Sequence, residues 1–103
     1  MKISELTGTA LDWAVAKIEY TNPVTIGSST LMVFKDVPFD YHPSIDWSQG
    51  GLIIEQEKIQ IKENGYGHWF AKIGKGKWMR GLTPLIAAMR CYVASKLGDE
   101  ILD

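Results

Sequence analysis

Cysteine is almost absent: the 103 residues contain one, Cys91. No disulfide framework is available within the chain, so a reducing compartment, the cytoplasm, is the expected setting. Histidine is limited to His42 and His68, an unremarkable number for this length. That argues against a histidine-rich metal site, and no third ligand accompanies the His42/Asp46 pair at four-residue spacing. There is no apolar run of about 18 residues, so no membrane span is expected. Met1-Lys2-Ile3-Ser4-Glu5 lacks the apolar stretch of a signal peptide. Neither charge sign is in excess: 11 Lys and Arg against 12 Asp and Glu give a net charge of −1. A protein working by bulk attraction to nucleic acid or an anionic membrane is thereby disfavoured. Gly-Lys-Ser/Thr is missing, so there is no Walker motif. No repeat or low-complexity tract occurs.

What is present is an ordinary globular composition, 46% hydrophobic and 22% charged, at a length that suits a single domain, 1–103. Its best-punctuated stretch is Thr83 to Gly98. Thr83 is placed as N-cap and Pro84 as the first helical residue, while Gly98 closes the end. Leu85, Met89, Val93 and Leu97 form an apolar stripe. Ala87, Cys91, Ala94 and Ser95 make a small face, open to another backbone of this chain or of a second copy. Arg90 lies mid-helix, with Glu55, Asp46 or solvent as its alternatives.

The earlier chain reads in order. Residues from about Thr7 to Tyr20 predict a helix with Ala10, Leu11, Ala14, Val15 and Ile18 inward and Asp12, Ala16 and Glu19 on the other side. Asn22-Pro23 ends it. Val24–Ile26 and Leu31–Phe34 predict a hairpin around Gly27-Ser28-Ser29. Lys35–Pro43 reads as a shaped loop. The stretch from Ser44 to Lys58 is strand-like by propensity at Leu52–Ile54 and helix-like by the spacing of Trp47, Gly51, Ile54 and Lys58, with Ser44 as cap. Ile59–Ile61 and His68–Ile73 predict a second hairpin across Glu63-Asn64-Gly65. Gly74–Gly81 reads as a basic, glycine-rich connection. The sum is an α+β fold: a small antiparallel sheet of about four strands packed with two or three helices, sandwich-like.

Several blocks are familiar: Leu6-Thr-Gly-Thr-Ala-Leu-Asp-Trp-Ala-Val-Ala16, Pro43-Ser44, Asp46-Trp47, Gln49-Gly-Gly51, Ile53-Ile-Glu55 and, most specific, Thr83 to Gly98. Together they resemble the phage NinX-like family of uncharacterised proteins, encoded by tailed phages and prophages of enteric bacteria. The pattern around Ser44, Asp46 and Trp47 and before the final helix is also similar to phage α-β-α sandwich domains, which favours a helix over residues 45–57. Leu52 stands where proline is common in the family. The resemblance implies no activity and no catalytic residues.

Two surfaces are candidates for function. Phe39, Tyr41, Trp47 and Trp78 are a surplus of large aromatics that suits a partner-binding patch, since aromatics dominate interface hot spots. Trp13 and Trp69 are assigned to the core, while Trp47 and Trp78 suit core and surface equally. Trp69, Lys72, Lys75, Lys77, Trp78 and Arg80 combine cations for phosphates with rings for bases, as single-stranded nucleic-acid binding requires. A solvated hairpin connection explains the same residues more plainly. Cys91, mid-helix among alanines, reads as a buried small residue and not as a nucleophile. The expectation is a non-enzymatic module without cofactor or metal. Its partner would be a host or phage protein, with nucleic acid as the alternative and room for a second copy.

Overall fold

In the computed structural model the described residues are 2–19, 23–26, 29–34 and 37–98, with backbone alone over 23–26, 29–34 and 37–39. They form a 3-10 turn, three α-helices and six strands in the order turn (Ile3–Glu5), α1 (Gly8–Glu19), β1 (Pro23–Ile26), β2 (Ser29–Phe34), β3 (Val37–Asp40), α2 (Trp47–Glu57), β4 (Gln60–Glu63), β5 (Trp69–Lys72), β6 (Met79–Gly81) and α3 (Pro84–Leu97). The fold is α+β, as expected. The strands differ in number and grouping: two separate three-stranded antiparallel sheets, β1-β2-β3 and β4-β5-β6, replace one sheet of about four. Each expected hairpin gains a third strand where a loop was read. β3 contains Pro38 and is an edge strand, where a missing N–H is tolerated. β6 is a short edge strand of three residues. Asn22, the Gly27-Ser28 turn and the tail after Gly98 lie outside the described residues.

α3 is the centre. Its caps are as the sequence dictates: Thr83 Oγ1 accepts from the Ile86 N–H at 3.1 Å, and Gly98 has φ 87°. Buried positions Leu85, Ala87, Ala88, Met89, Cys91, Tyr92 and Val93 run around the helix, so it is covered on more than one side. Met89 and Val93 are fully enclosed, each side chain contributing about 1.5–3 kcal/mol on burial. The β4–β6 sheet lies on one flank, and α1 and α2 pack elsewhere on α3. The Ala87 end of the small face is used within the chain: a Cβ at Gly81 of β6 would lie 2.4 Å from the Ala87 backbone nitrogen, while Ser95 at the other end is exposed.

α2 is a helix, and Asp46, not Ser44, is its cap. Asp46 Oδ1 accepts from the Ser48 N–H at 2.8 Å and from Ser48 Oγ at 2.6 Å, bonds that hold its carboxyl below the ordinary range. Gly50 is pressed against the Pro43 carbonyl and Leu85, so the helix rests on a turn and on α3 and not on a sheet.

The supposed outer side of α1 is buried as well. Asp12 is 2% exposed and Ala16 fully buried. Asp12 Oδ1 accepts from the Ser44 N–H at 2.8 Å, clamping the turn before α2. Arg90 takes neither expected carboxylate: its Nε donates to the Leu6 carbonyl and its Nη1 to the Arg80 carbonyl, both at 2.7 Å. One guanidinium thus ties the N-terminal segment and β6 to α3.

Candidate functional site

The β4–β6 sheet has two unlike faces, set by strand alternation. Ala71 is buried, and Ile61, Trp69 and Met79 pack on the core, so these residues face α3. In register, Lys62 pairs with Phe70, Phe70 with Arg80, and Gln60 with Lys72. These residues therefore share the opposite face. Trp78 joins them, since the Lys62 and Lys72 ammonium groups lie 4.3 and 4.9 Å from its ring centroid. Two rings and three cations meet there, with Gln60 beside them. Among the described elements only α3 packs substantially on the strands of this sheet. Glu63, the one carboxylate of β4, belongs to the α3-facing register and accepts from the Gly65 N–H at 2.8 Å.

α2 presents a second surface. Gly50 and Ile53 are its buried positions, leaving Trp47 (56% exposed) and Leu52 (66%) outward, with Ile45 (72%) just before the helix. Between α2 and the end of α1 is a groove of about 210 Å³ lined by Glu19, Tyr41, Ser48, Gln49, Leu52 and Ile53 among others. The Gln49 amide crosses its wall, Nε2 donating to the Asp40 carbonyl at 2.9 Å and Oε1 accepting from the His42 N–H.

The four candidate partner-binding aromatics do not converge on one patch. Tyr41 is buried at 4% exposure and lines the α2 groove, and Trp47 is exposed on α2. Trp78 belongs to the sheet face. The Phe39 side chain lies outside the described residues. Of the basic set, Lys72, Trp78 and Arg80 share the outer sheet face. Trp69 points to the core, and Lys75 and Lys77 lie in the exposed turn leading to β6. The structure adds Lys62 and Phe70, which the 69–80 segment taken as a linear motif misses or leaves unmarked. Once β4 and β5 are paired, alternation alone selects both.

His42 lies between two aspartates: its carbonyl accepts from the Asp46 N–H at 2.8 Å, and its ring faces Asp12. His42 Nδ1 is 3.7 Å from Asp12 Oδ2, too long for a hydrogen bond. Burial raises the Asp12 carboxyl above its ordinary value, against the pull of Ser44 and His42. The His68 N–H is held by Asn64 Oδ1 at 3.2 Å in the β4–β5 turn. Among the described residues no three His, Cys, Asp or Glu side chains are grouped to hold a metal. Cys91 lines a groove of about 220 Å³ between the β5–β6 turn and α3, and burial pushes its thiol up, away from the thiolate a nucleophile needs. No helix among the described residues is long and apolar enough to cross a membrane.

A family model described as Bacteriophage P22, NinX matches residues 2–96. The chain belongs to that family. The match includes every element from the first turn to nearly the end of α3, and so both surfaces described above lie within the NinX region. The resemblance drawn from the Leu6–Ala16 and Thr83–Gly98 blocks is thereby borne out. A search of curated proteins finds no match.

Proposed function

We propose that this NinX-family chain is a non-enzymatic phage accessory protein that works in the host cytoplasm by docking on a host or phage protein through α2. The observation that carries this reading is the exposure of Trp47 and Leu52 on either flank of the outward side of α2, whose inner side is anchored through Gly50 and Ile53. Exposed tryptophan and leucine cost solubility, and tryptophan is the residue most enriched among interface hot spots. The adjoining groove supports it. At about 210 Å³ it is smaller than the about 300–1,000 Å³ of small-molecule sites, and it suits a single side chain of a partner. Glu19, Gln49 and Gln56 on its lining favour a partner residue with a polar or cationic end, such as lysine or arginine over an apolar stem.

The test is capture of the tagged chain from phage-infected host lysate treated with nuclease, in parallel with the Trp47→Ala/Leu52→Asp variant. One discrete protein retained by the wild type and lost by the folded variant is the expected result. Retention of the same proteins by both would overturn the reading.

A further inference from the structure

We infer that the outer face of the β4–β6 sheet is a binding site for a single-stranded nucleic acid. This goes beyond the α2 reading, because it concerns a different surface and a different class of partner. The whole face counts, not the linear 69–80 segment. Lys62, Phe70 and Arg80 stand side by side across three strands, with Lys72 and Trp78 next to them.

Charge complementarity names the occupant. Among the described strand residues three cations and no carboxylate share this face, although the chain as a whole carries −1. The charge is therefore segregated onto the sheet, and a polyanion is its complement. The rings narrow the choice. Phe70 is partly buried and Trp78 is 37% exposed, so each ring keeps part of its surface open. Unpaired bases stack on such rings, whereas bases in a duplex are already stacked on each other. A three-stranded sheet face also lacks the projecting helix or two-stranded ribbon that enters a major groove.

The lysine positions fit this use. In the free protein the Lys62 and Lys72 ammoniums rest over the Trp78 ring at 4.3 and 4.9 Å, a cation–π contact that holds them on the face. An arriving base takes the ring, and the two ammoniums move to the flanking phosphates. Arg80 is held from behind by its own backbone, since its carbonyl accepts from Arg90, so its exposed side chain projects from a fixed point. Three phosphate contacts predict that log K falls with log salt at a slope of about −2 for a single strand.

The experiment is fluorescence anisotropy of a labelled oligothymidylate of about 15 nucleotides, long enough to cover one such face, titrated with the whole chain across a salt series. Duplex DNA of the same length and heparin are run beside it. Expected are binding at low salt with a slope near −2, quenching of tryptophan emission, and weak duplex binding. Lys62→Gln/Lys72→Gln/Arg80→Gln should abolish the salt-dependent part. Phe70→Leu/Trp78→Leu should weaken binding about tenfold or more, since each stacked base contributes substantially. Circular dichroism shows that the variants are folded; the three charge substitutions change side chains that are not part of the buried core and keep the test intact if the ring variant unfolds. No binding at low salt overturns the proposal. So does binding of heparin or duplex as tight as that of the oligonucleotide, which marks a polyanion surface without stacking. Trp47→Ala/Leu52→Asp should leave oligonucleotide binding unchanged, which separates this result from failure of the α2 reading.

Discussion

Adding one methyl group at two adjacent positions of α2 should have opposite effects. At Gly51 a new Cβ would meet only Trp47 Cε3, at 3.7 Å, an ordinary contact. Alanine is favoured over glycine in a helix by about 1 kcal/mol, partly because the unfolded chain has less freedom to lose. Gly51→Ala should therefore stabilise the protein by about 1 kcal/mol. Gly50→Ala has the same backbone advantage, but its Cβ would lie 2.3 Å from the Pro43 carbonyl oxygen and 2.7 Å from Leu85 Cδ2. The leucine tip can turn away. The Pro43 carbonyl cannot, because its turn is fixed by the Asp12–Ser44 bond and by the Ile45 and Asp46 N–H groups on the His42 carbonyl. Overpacking costs about 1–3 kcal/mol, and a clash with fixed backbone belongs at the upper end. The net loss is about 2 kcal/mol, and the two variants should differ by about 3 kcal/mol. For a chain of about 100 residues that is on the order of 15 °C in Tm. Thermal and urea denaturation followed by far-ultraviolet circular dichroism measure it. A Gly50→Ala protein as stable as Gly51→Ala would refute the packing of α2 on the Pro43 turn.

Further predictions follow from the polar clamps. Arg90→Lys cannot reproduce the fork on the Leu6 and Arg80 carbonyls and should cost about 1.5–3 kcal/mol in urea unfolding; a change within about 0.5 kcal/mol would class it as an ordinary surface position. Asp12 makes stability depend on pH. Burial raises its carboxyl in the folded chain above the ordinary 3.8, so between these values the native state keeps a proton that the unfolded chain has released. The contribution of this group is full below the unfolded value and is lost as pH rises through the folded one. In Asp12→Asn that pH-dependent component should vanish, so the stability of wild type relative to the variant falls with rising pH across this window. Urea midpoints at a series of pH values above the ordinary aspartate range check it, and a wild-type advantage that grows with pH would contradict the assignment.

The parts of the fold legible from sequence were those whose signals are local. Thr83, Pro84 and Gly98 mark both ends of α3 without reference to anything else in the chain, and the paired β-branched runs announce β1, β2, β4 and β5. The parts that escaped depend on partners distant in sequence. β3 is hidden by Pro38, which is tolerable only because that strand is an edge. Asp12 looks solvent-facing until the Ser44 turn arrives beside it. Arg90 bonds to two carbonyls, and a carbonyl has no residue signature. The basic tryptophan segment was visible as composition, but its organisation was not. Which cations stand beside which rings depends on register, and register brings Lys62 and Phe70 into the set while turning Trp69 inward. On α2, the exposure of Trp47 hinged on which residue began the helix.

The central place of α3 also decides when this chain can fold. During synthesis α3 leaves the ribosome after every element it packs on. Until it does, the β4–β6 sheet has no inner cover, α2 lacks Leu85 beneath Gly50, and the Leu6 carbonyl waits for an arginine 84 positions later. Small sheets and lone helices without a packing partner are barely stable in water. The elements that rest on α3 should therefore gain stable structure only once that helix has emerged. A premature stop within α3 should therefore cost more than the missing residues, because it removes the cover of the β4–β6 sheet and of α2 together.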